Sequence, residues 1–180
     1  SDFLTCGPKI DEAEAKLCEV TGAKHAVLIA NGTAALHATT FAAGIGEGDE
    51  VITTPITFAA SANCALYCGG RPVFADINPE TYNIDPADIE RKITDKTKAV
   101  VAVDFTGQAV EIDKIREICD KHNLIFIEDA AHSLGTKFNG KPVGGLADMT
   151  EFSFHPVKTC TAGEGGAITT NDDELYKRLV

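Results

Sequence analysis

Short apolar runs alternate with helical segments along most of the chain, and this alternation limits the possible fold more than any other feature. The runs have the length and the continuous apolar character of strands buried on both faces. They predict seven strands, at 25–30, 50–54, 72–76, 99–103, 124–128, 149–154 and 166–170. Helical periodicity predicts helices at 8–20, 34–43, 58–67, 85–92 and 112–122. The pattern therefore predicts an α/β fold of three α/β/α layers around a mainly parallel seven-stranded sheet.

Size and charge restrict the class of protein further. The chain has 180 residues, of which 44% are hydrophobic, and this is enough for one domain with a substantial core. The 27 Asp and Glu residues outnumber the 16 Lys and Arg residues, which gives a net charge of −11. This balance argues against nucleic acid as a partner. The sequence has no apolar stretch approaching the ~20 residues of a membrane span, so we expect no membrane association.

The six cysteines form neither a CxxC pair nor, with histidine, the spacing of a zinc site. We therefore predict free thiols, a cytoplasmic location and no bound metal.

Ligands of parallel α/β sheets bind beyond the carboxyl ends of the strands, so polar residues at those ends are candidates for function. The first candidate segment is Asn31-Gly32-Thr33-Ala34, where a helix start and a glycine could hold a phosphate. A simple N-cap is the alternative. The second candidate is Phe58, which could stack on a planar heterocycle or could fill the core.

The third candidate is Asp129, which follows the apolar run 124–127. A carboxylate at the end of a buried strand is costly unless it is paired or hydrogen-bonded. The protonated ring nitrogen of pyridoxal phosphate would be a suitable partner, and a structural Asp that caps the next turn is the alternative. His132 could reach the same ligand or be an ordinary histidine.

The fourth candidate is Lys158, in a turn between the last two predicted strands. A lysine held beside cationic or apolar groups has a lowered pKa and can form imines. Ser153, at the end of its strand, could bind the same phosphate as Thr33, and the glycines of 163–166 permit an unusual backbone. Lys158 and Asp129 together are the pair that pyridoxal phosphate chemistry requires, an amine for a Schiff base and an acid for the ring nitrogen.

The order of these motifs resembles the DegT/DnrJ/EryC1/StrS family of nucleotide-sugar aminotransferases. The resemblance is carried by Asn31-Gly32-Thr33-Ala34-Ala35-Leu36, Phe58, Glu128-Asp129-Ala130-Ala131-His132, Ser153-Phe154-His155-Pro156-Val157-Lys158 and Gly163-Glu164-Gly165-Gly166. It implies the large domain of a fold-type I pyridoxal phosphate enzyme. Within the family, the Ser153 to Lys158 segment and the opening 3–8 are most similar to the transaminases of pseudaminic acid biosynthesis.

The resemblance also implies a role for each candidate residue. Lys158 would carry the cofactor and transfer protons, Asp129 would pair with the pyridine nitrogen, and Phe58 would stack on the ring. The implied phosphate ligands are Gly32, Thr33, Ala34 and Ser153. His132 would lie near the face of the cofactor or its O3′. The segment implied to contact the sugar nucleotide is Leu4, Thr5, Cys6 and Gly7.

The implied reaction is a ping-pong transamination. An amino acid, expected to be L-glutamate, would aminate the cofactor, which would then aminate a UDP-linked 4-keto-6-deoxy sugar. Family members are roughly double this length and dimeric, so residues 1–180 would be a large domain without the small C-terminal domain, inactive alone. The alternatives are a related sugar dehydratase or deoxygenase, in which the lysine is replaced by His in the 3-dehydrases, and a non-catalytic regulatory module.

Overall fold

The computed structural model describes residues 6–180 of the chain. The α-helices in this part are α1 (Pro8–Thr21), α2 (Gly32–Ala42), α3 (Ala60–Tyr67), α4 (Pro86–Lys92), α5 (Ile112–His122) and α6 (Asp173–Leu179). The strands are β1 (His25–Ile29), β2 (Glu50–Thr53), β3 (Arg71–Phe74), β4 (Thr97–Val103), β5 (Ile125–Asp129), β6 (Lys137–Phe138), β7 (Lys141–Pro142), β8 (Met149–Ser153) and β9 (Gly166–Thr170). None of the helices described combines the length and apolar character needed to cross a bilayer.

Seven of the strands form one sheet in the order β1-β9-β8-β5-β4-β2-β3. Strands β8, β5, β4, β2 and β3 are parallel, whereas β9 is antiparallel to both of its neighbours, β8 and β1. Six strands therefore run in one direction, and their carboxyl ends share one edge of the sheet. Because β9 runs in the opposite direction, it begins at that same edge. Its first residue, Gly166, pairs with Ser153 and Ile29, the last residues of β8 and β1.

Helices cover both faces of the sheet. Leu17, Ile89 and Ile115, from α1, α4 and α5, belong to the hydrophobic cluster on one face. Leu36 and Cys64, from α2 and α3, belong to the cluster on the other face, which α6 also joins. The predicted α/β fold with three layers and a mainly parallel seven-stranded sheet is confirmed.

Strands β3 and β4 differ by one to two residues at their ends from the prediction, and three further details differ as well. Helix α2 begins at Gly32 rather than at residue 34, because Asn31 caps it from an extended conformation. Helix α3 begins at Ala60, so that Phe58 precedes the helix rather than starting it. The hairpin of β6 and β7 was missed, since strands of two residues carry no periodicity to detect.

Candidate active site

A cavity of about 770 Å³ opens at the carboxyl ends of β4, β5 and β8. It lies on the face of the sheet that α2 and α3 cover. The residues that line it are Asn31, Gly32, Thr33, Leu36, Ile56, Thr57, Phe58, Ala60, Val103, Asp104, Phe105, Thr106, Asp129, Ala131, His132, Glu151, Ser153, His155, Val157, Lys158 and Glu164. The structure therefore brings Asp129 and Lys158 together in one hollow, although 29 positions separate them in the sequence.

Asp129 is the last residue of β5 and is 4% exposed. Its Oδ2 accepts a hydrogen bond of 2.6 Å from the hydroxyl of Ser61 in α3, and its Oδ1 accepts one of 3.3 Å from the backbone N–H of Ala131. These donors hold the carboxylate at a fixed angle at the base of the cavity. Ser61 was not among the residues predicted for the site, because nothing in the sequence indicates which residue of a helix faces a distant strand.

The turn that carries Lys158 is held at several points between β8 and β9. The backbone N–H of Lys158 donates to the carbonyl of His155 at 3.0 Å, and that of Ala162 donates to the carbonyl of Phe154 at 3.0 Å. Gly163 and Gly165 have φ angles of 81° and 158°, which side chains with a Cβ rarely adopt. The glycines predicted to permit an unusual backbone thus shape the turn that presents the lysine.

The amine of Lys158 lies 2.7 Å from Nε2 of His132, in the loop after β5. Partial burial and the neighbouring lysine cation lower the pKa of His132, with a smaller opposite effect from Asp129. A neutral imidazole can accept a hydrogen bond from the ammonium group, so the contact favours the neutral ring. His132 can therefore hold or receive a proton at the position of the reactive amine.

The first turn of α2 forms another wall of the cavity. Asn31 caps the helix, because its Oδ1 accepts a hydrogen bond of 2.8 Å from the N–H of Ala34. Asn31 can thus cap the helix while the helix start still binds an anion. Ala34 is not a suitable phosphate ligand, because its N–H is already used in the cap and it does not line the cavity. Gly32 and Thr33 do line it, and Ser153 approaches Gly32 closely from β8. Helix N–H groups and a hydroxyl are suitable ligands for a phosphate.

The remaining predicted residues are placed as follows. The ring of Phe58 is 73% exposed and lines the cavity, so it does not fill the core. Cys6 and Gly7 do not line the cavity, and Gly7 is the N-cap of α1. Leu4 and Thr5 lie outside the described residues.

Two buried acidic residues of the cavity were missed. Glu151 in β8 is fully buried, and burial together with the charge of Asp129 raises its pKa well above the ordinary value. Asp104, directly after β4, is buried as well, and its burial raises its pKa to about 7. The alternation of side chains along a strand places Glu151 on the same face as Ser153, and this is the signal that could have indicated it.

Comparison with known proteins places these features in one family. The model of the DegT/DnrJ/EryC1/StrS aminotransferase family matches residues 1–180. Over 173 residues the chain is 47% identical to a GDP-perosamine synthase of Caulobacter vibrioides. The match covers 96% of this chain and 47% of that protein. Over 181 residues it is 44% identical to a UDP-4-amino-4,6-dideoxy-N-acetyl-beta-L-altrosamine transaminase of Campylobacter jejuni, with 99% of this chain and 48% of that protein covered.

A solved structure shows the same similarity in three dimensions. It is the PLP form of a Streptococcus pneumoniae protein described as a sugar aminotransferase. It superposes with a TM-score of 0.94 at 32% identity and covers 99% of this chain and 51% of that one. The chain spans about half the length of the curated relatives it matches.

Proposed function

The chain belongs to the DegT/DnrJ/EryC1/StrS aminotransferase family, and from this premise we propose that its cavity binds pyridoxal 5′-phosphate and serves amino transfer to a nucleotide-linked keto sugar. The observation that carries the proposal is the presence of Asp129 and Lys158 in the same cavity. An acid and an amine facing one hollow are the two groups that this cofactor requires.

The shape and polarity of the cavity fit the cofactor. Its volume of about 770 Å³ lies within the range of ligand and cofactor pockets. The start of α2, with Gly32 and Thr33, and the hydroxyl of Ser153 form an end suited to a phosphate. The exposed ring of Phe58 offers a flat apolar surface for an aromatic ring. Among the described residues, the buried carboxylate of Asp129 has hydrogen-bond donors but no ion-pair partner, and a protonated ring nitrogen would supply one.

Each residue then has a role that follows from its position. When bound, pyridoxal phosphate supplies an aldehyde for amines and a ring that accepts the electrons released as a proton leaves the substrate. Lys158 would bind that aldehyde and move the proton, and His132 would hold the amine through the 2.7 Å contact. Asp129 would keep the ring nitrogen protonated, and Ser61 would keep Asp129 in position.

We assign the substrate to the class of UDP-linked 4-keto-6-deoxy sugars, with L-glutamate as amino donor and pseudaminic acid as the pathway. The resemblance of the segment from Ser153 to Lys158 supports this, as does the 44% identity to the altrosamine transaminase. The 47% identity to a GDP-perosamine synthase makes a GDP-linked sugar the alternative to test. We further propose a cytoplasmic homodimer, since α2 and α3 expose the large apolar side chains of Phe41, Leu66 and Tyr67.

Two variants test the assignment in the full natural protein. Lys158→Arg should abolish the visible absorbance of the bound cofactor and turnover, while circular dichroism shows the fold intact. Lys177→Arg is the matched control, because Lys177 is an exposed residue of α6 paired with Glu174. Turnover retained in Lys158→Arg would refute the proposal.

Assays with UDP-, dTDP- and GDP-linked 4-keto sugars and L-glutamate identify the nucleotide. Amination of the UDP-linked sugar alone supports our assignment, and a preference for the GDP-linked sugar overturns it. A dehydrated or deoxygenated product would favour the related dehydratase reaction. No cofactor binding at all would favour a regulatory module.

A further inference from the structure

Glu151 and Asp129 form a pair of buried acids at the base of the cavity. They are direct neighbours on the adjacent parallel strands β8 and β5, in the register that pairs Asp129 with Glu151. Residues in this register point to the same face of the sheet, which is the cavity face. Like charges directly opposite each other on neighbouring strands are destabilising, and more so without water.

Neither carboxyl oxygen of Glu151 has a hydrogen-bond partner among the described residues. The Glu151 side chain is completely buried, whereas buried Asp129 receives hydrogen bonds from Ser61 and Ala131. An ionised carboxylate without donors would have no compensation for lost hydration, while a protonated carboxyl is itself a donor. The Asp129 carboxylate, directly opposite on β5, is the neighbouring acceptor for such a donor.

The other groups around Glu151 do not alter the conclusion that its carboxyl group is protonated. The first turn of α2 and the facing residue of β9, Ile168, bring no charge to it. Lys158 acts in the opposite direction, but its effect is smaller than those of burial and of Asp129. Of the residues around Asp129, His132 has a pKa that burial and Lys158 lower, which favours its neutral form, and Asp104 can only add negative charge.

We propose that Glu151 and Asp129 share one proton, which resides on Glu151 and is donated to Asp129 in a hydrogen bond. Asp129 is then the anion of the pair, and its carboxylate receives a third hydrogen-bond donor besides Ser61 and Ala131. Glu151 thus acts as a positioning residue through Asp129. This role rests on the proposed cofactor, but the shared proton does not.

A neutral Glu151 also suits the neighbouring phosphate end. A side chain at Gly32 would clash with Oε1 of Glu151, so this oxygen packs directly beneath the start of α2. A negative charge there would repel a phosphate at the helix start, whereas a protonated carboxyl leaves the positive end of the helix dipole available. The proton on Glu151 therefore provides a donor to Asp129 at one end of the site and removes a repulsive charge from the phosphate end.

The shared proton can be tested without the cofactor, in the full chain stripped of pyridoxal phosphate. At neutral pH, the infrared difference spectrum between the wild type and Glu151→Gln should show the loss of a protonated carboxyl band. Glu50→Gln is the control, because Glu50 is also buried but its carboxylate is bound by Arg71 and Thr94, which lower its pKa. No loss of a carboxyl band in Glu151→Gln would overturn the proposal.

Unfolding measurements test the same proton by a second route. The native state keeps the proton on Glu151, whereas the unfolded state releases that proton above the ordinary carboxyl pKa of 4.5. The folding constant of the wild type should therefore fall relative to Glu151→Gln as the pH rises above that value, by about tenfold per pH unit. Equal pH dependence of the two proteins would overturn the proposal.

The effect on the cofactor is tested with ¹⁵N-labelled pyridoxal phosphate. Glu151→Gln keeps a donor to Asp129 and should leave the ring-nitrogen chemical shift close to that of the wild type. Glu151→Leu removes the donor from the Asp129 carboxylate, and the ring-nitrogen shift should move toward the unprotonated value. An unchanged shift in Glu151→Leu would overturn the positioning role. A failure of the wild type to bind the cofactor would instead refute the proposed function, and the infrared result would still decide the shared proton.

Discussion

The Nζ of Lys158 lies 2.7 Å from the Nε2 of His132, and the two residues come from different turns of the chain. The turn after β5 supplies the imidazole, and the turn between β8 and β9 supplies the amine. At this distance a cationic imidazole and an ammonium group would repel each other strongly, so the contact requires a neutral histidine. The protonation states of the two residues are therefore linked.

Lys158→Gln should raise the pKa of His132 toward its ordinary value. Burial remains in the variant, but the lysine cation that helps to lower the pKa is removed. In the wild type, the contact should persist above pH 6.5 and be lost as the pH falls through the lowered pKa of the histidine. The imidazole ¹⁵N shifts measured against pH, without cofactor, give both results. Lys177→Gln on α6 is the control, and an equal His132 pKa in Lys158→Gln would contradict the linkage.

Ser61→Ala should destabilise the cofactor-free protein by about 1–3 kcal/mol, because it removes the 2.6 Å hydrogen bond to a buried carboxylate. In an Asp129→Asn background the same substitution should cost less, since a neutral amide oxygen is a weaker acceptor. Urea unfolding of the four proteins provides the double-mutant cycle. Equal costs in both backgrounds would show that Ser61 acts independently of Asp129.

Gly166→Ala should be among the most damaging single-methyl additions in the chain. A Cβ at this position would lie 2.5 Å from the backbone carbon of Asn31 and 2.8 Å from the nitrogen of Gly32, and backbone atoms cannot move aside easily. We expect a loss of about 3 kcal/mol or more and weaker cofactor binding, because the start of α2 is displaced.

Gly46→Ala is the matched control for this prediction. The nearest atom to a Cβ at Gly46 is 4.0 Å away, and its φ angle lies outside the left-handed region. Stability should change by no more than about 0.5 kcal/mol. Urea unfolding compares the two variants, and similar costs would contradict the close packing of β9 against α2.

The sequence was sufficient for most of the elements and for the edge of the sheet at which the candidate site lies. Helical and strand periods are local properties, and in a parallel sheet the carboxyl ends of the strands meet at one edge. The meeting of Asp129 and Lys158 in a cavity could therefore be expected, because Asp129 ends β5 and Lys158 lies in the turn that follows β8.

The partners of these residues could not be predicted in the same way. The bond from Ser61 to Asp129 depends on how α3 is rotated against the sheet. The pairing of Glu151 with Asp129 depends on the register of β8 against β5, and a shift of one residue would turn Glu151 away from the cavity. The rotation of a helix and the register of two strands are set by the packing of the whole core. They cannot be read from any short segment of the sequence.

The fourth prediction concerns Asp104, which follows β4 beside Asp129. Burial raises its pKa to about 7, against hydrogen bonds from the hydroxyl of Ser133 and the N–H of Val110, and the charge of Asp129 adds to the increase. Between its ordinary pKa of 3.8 and about 7, the native state therefore holds a proton that the unfolded state has released. Its contribution to stability must fall as the pH rises through this range.

Asp104→Asn should remove the loss of stability that the wild type shows as the pH rises toward 7. An amide keeps an oxygen for Val110 and offers N–H to Ser133, so the variant should gain stability over the wild type from pH 4 to 7, by roughly 4 kcal/mol at most. Asp95→Asn, at an exposed position, serves as the control. Urea unfolding at a series of pH values measures the difference. A stability difference that stays constant with pH would mean that Asp104 is ionised throughout, in which case the two hydrogen bonds outweigh its burial.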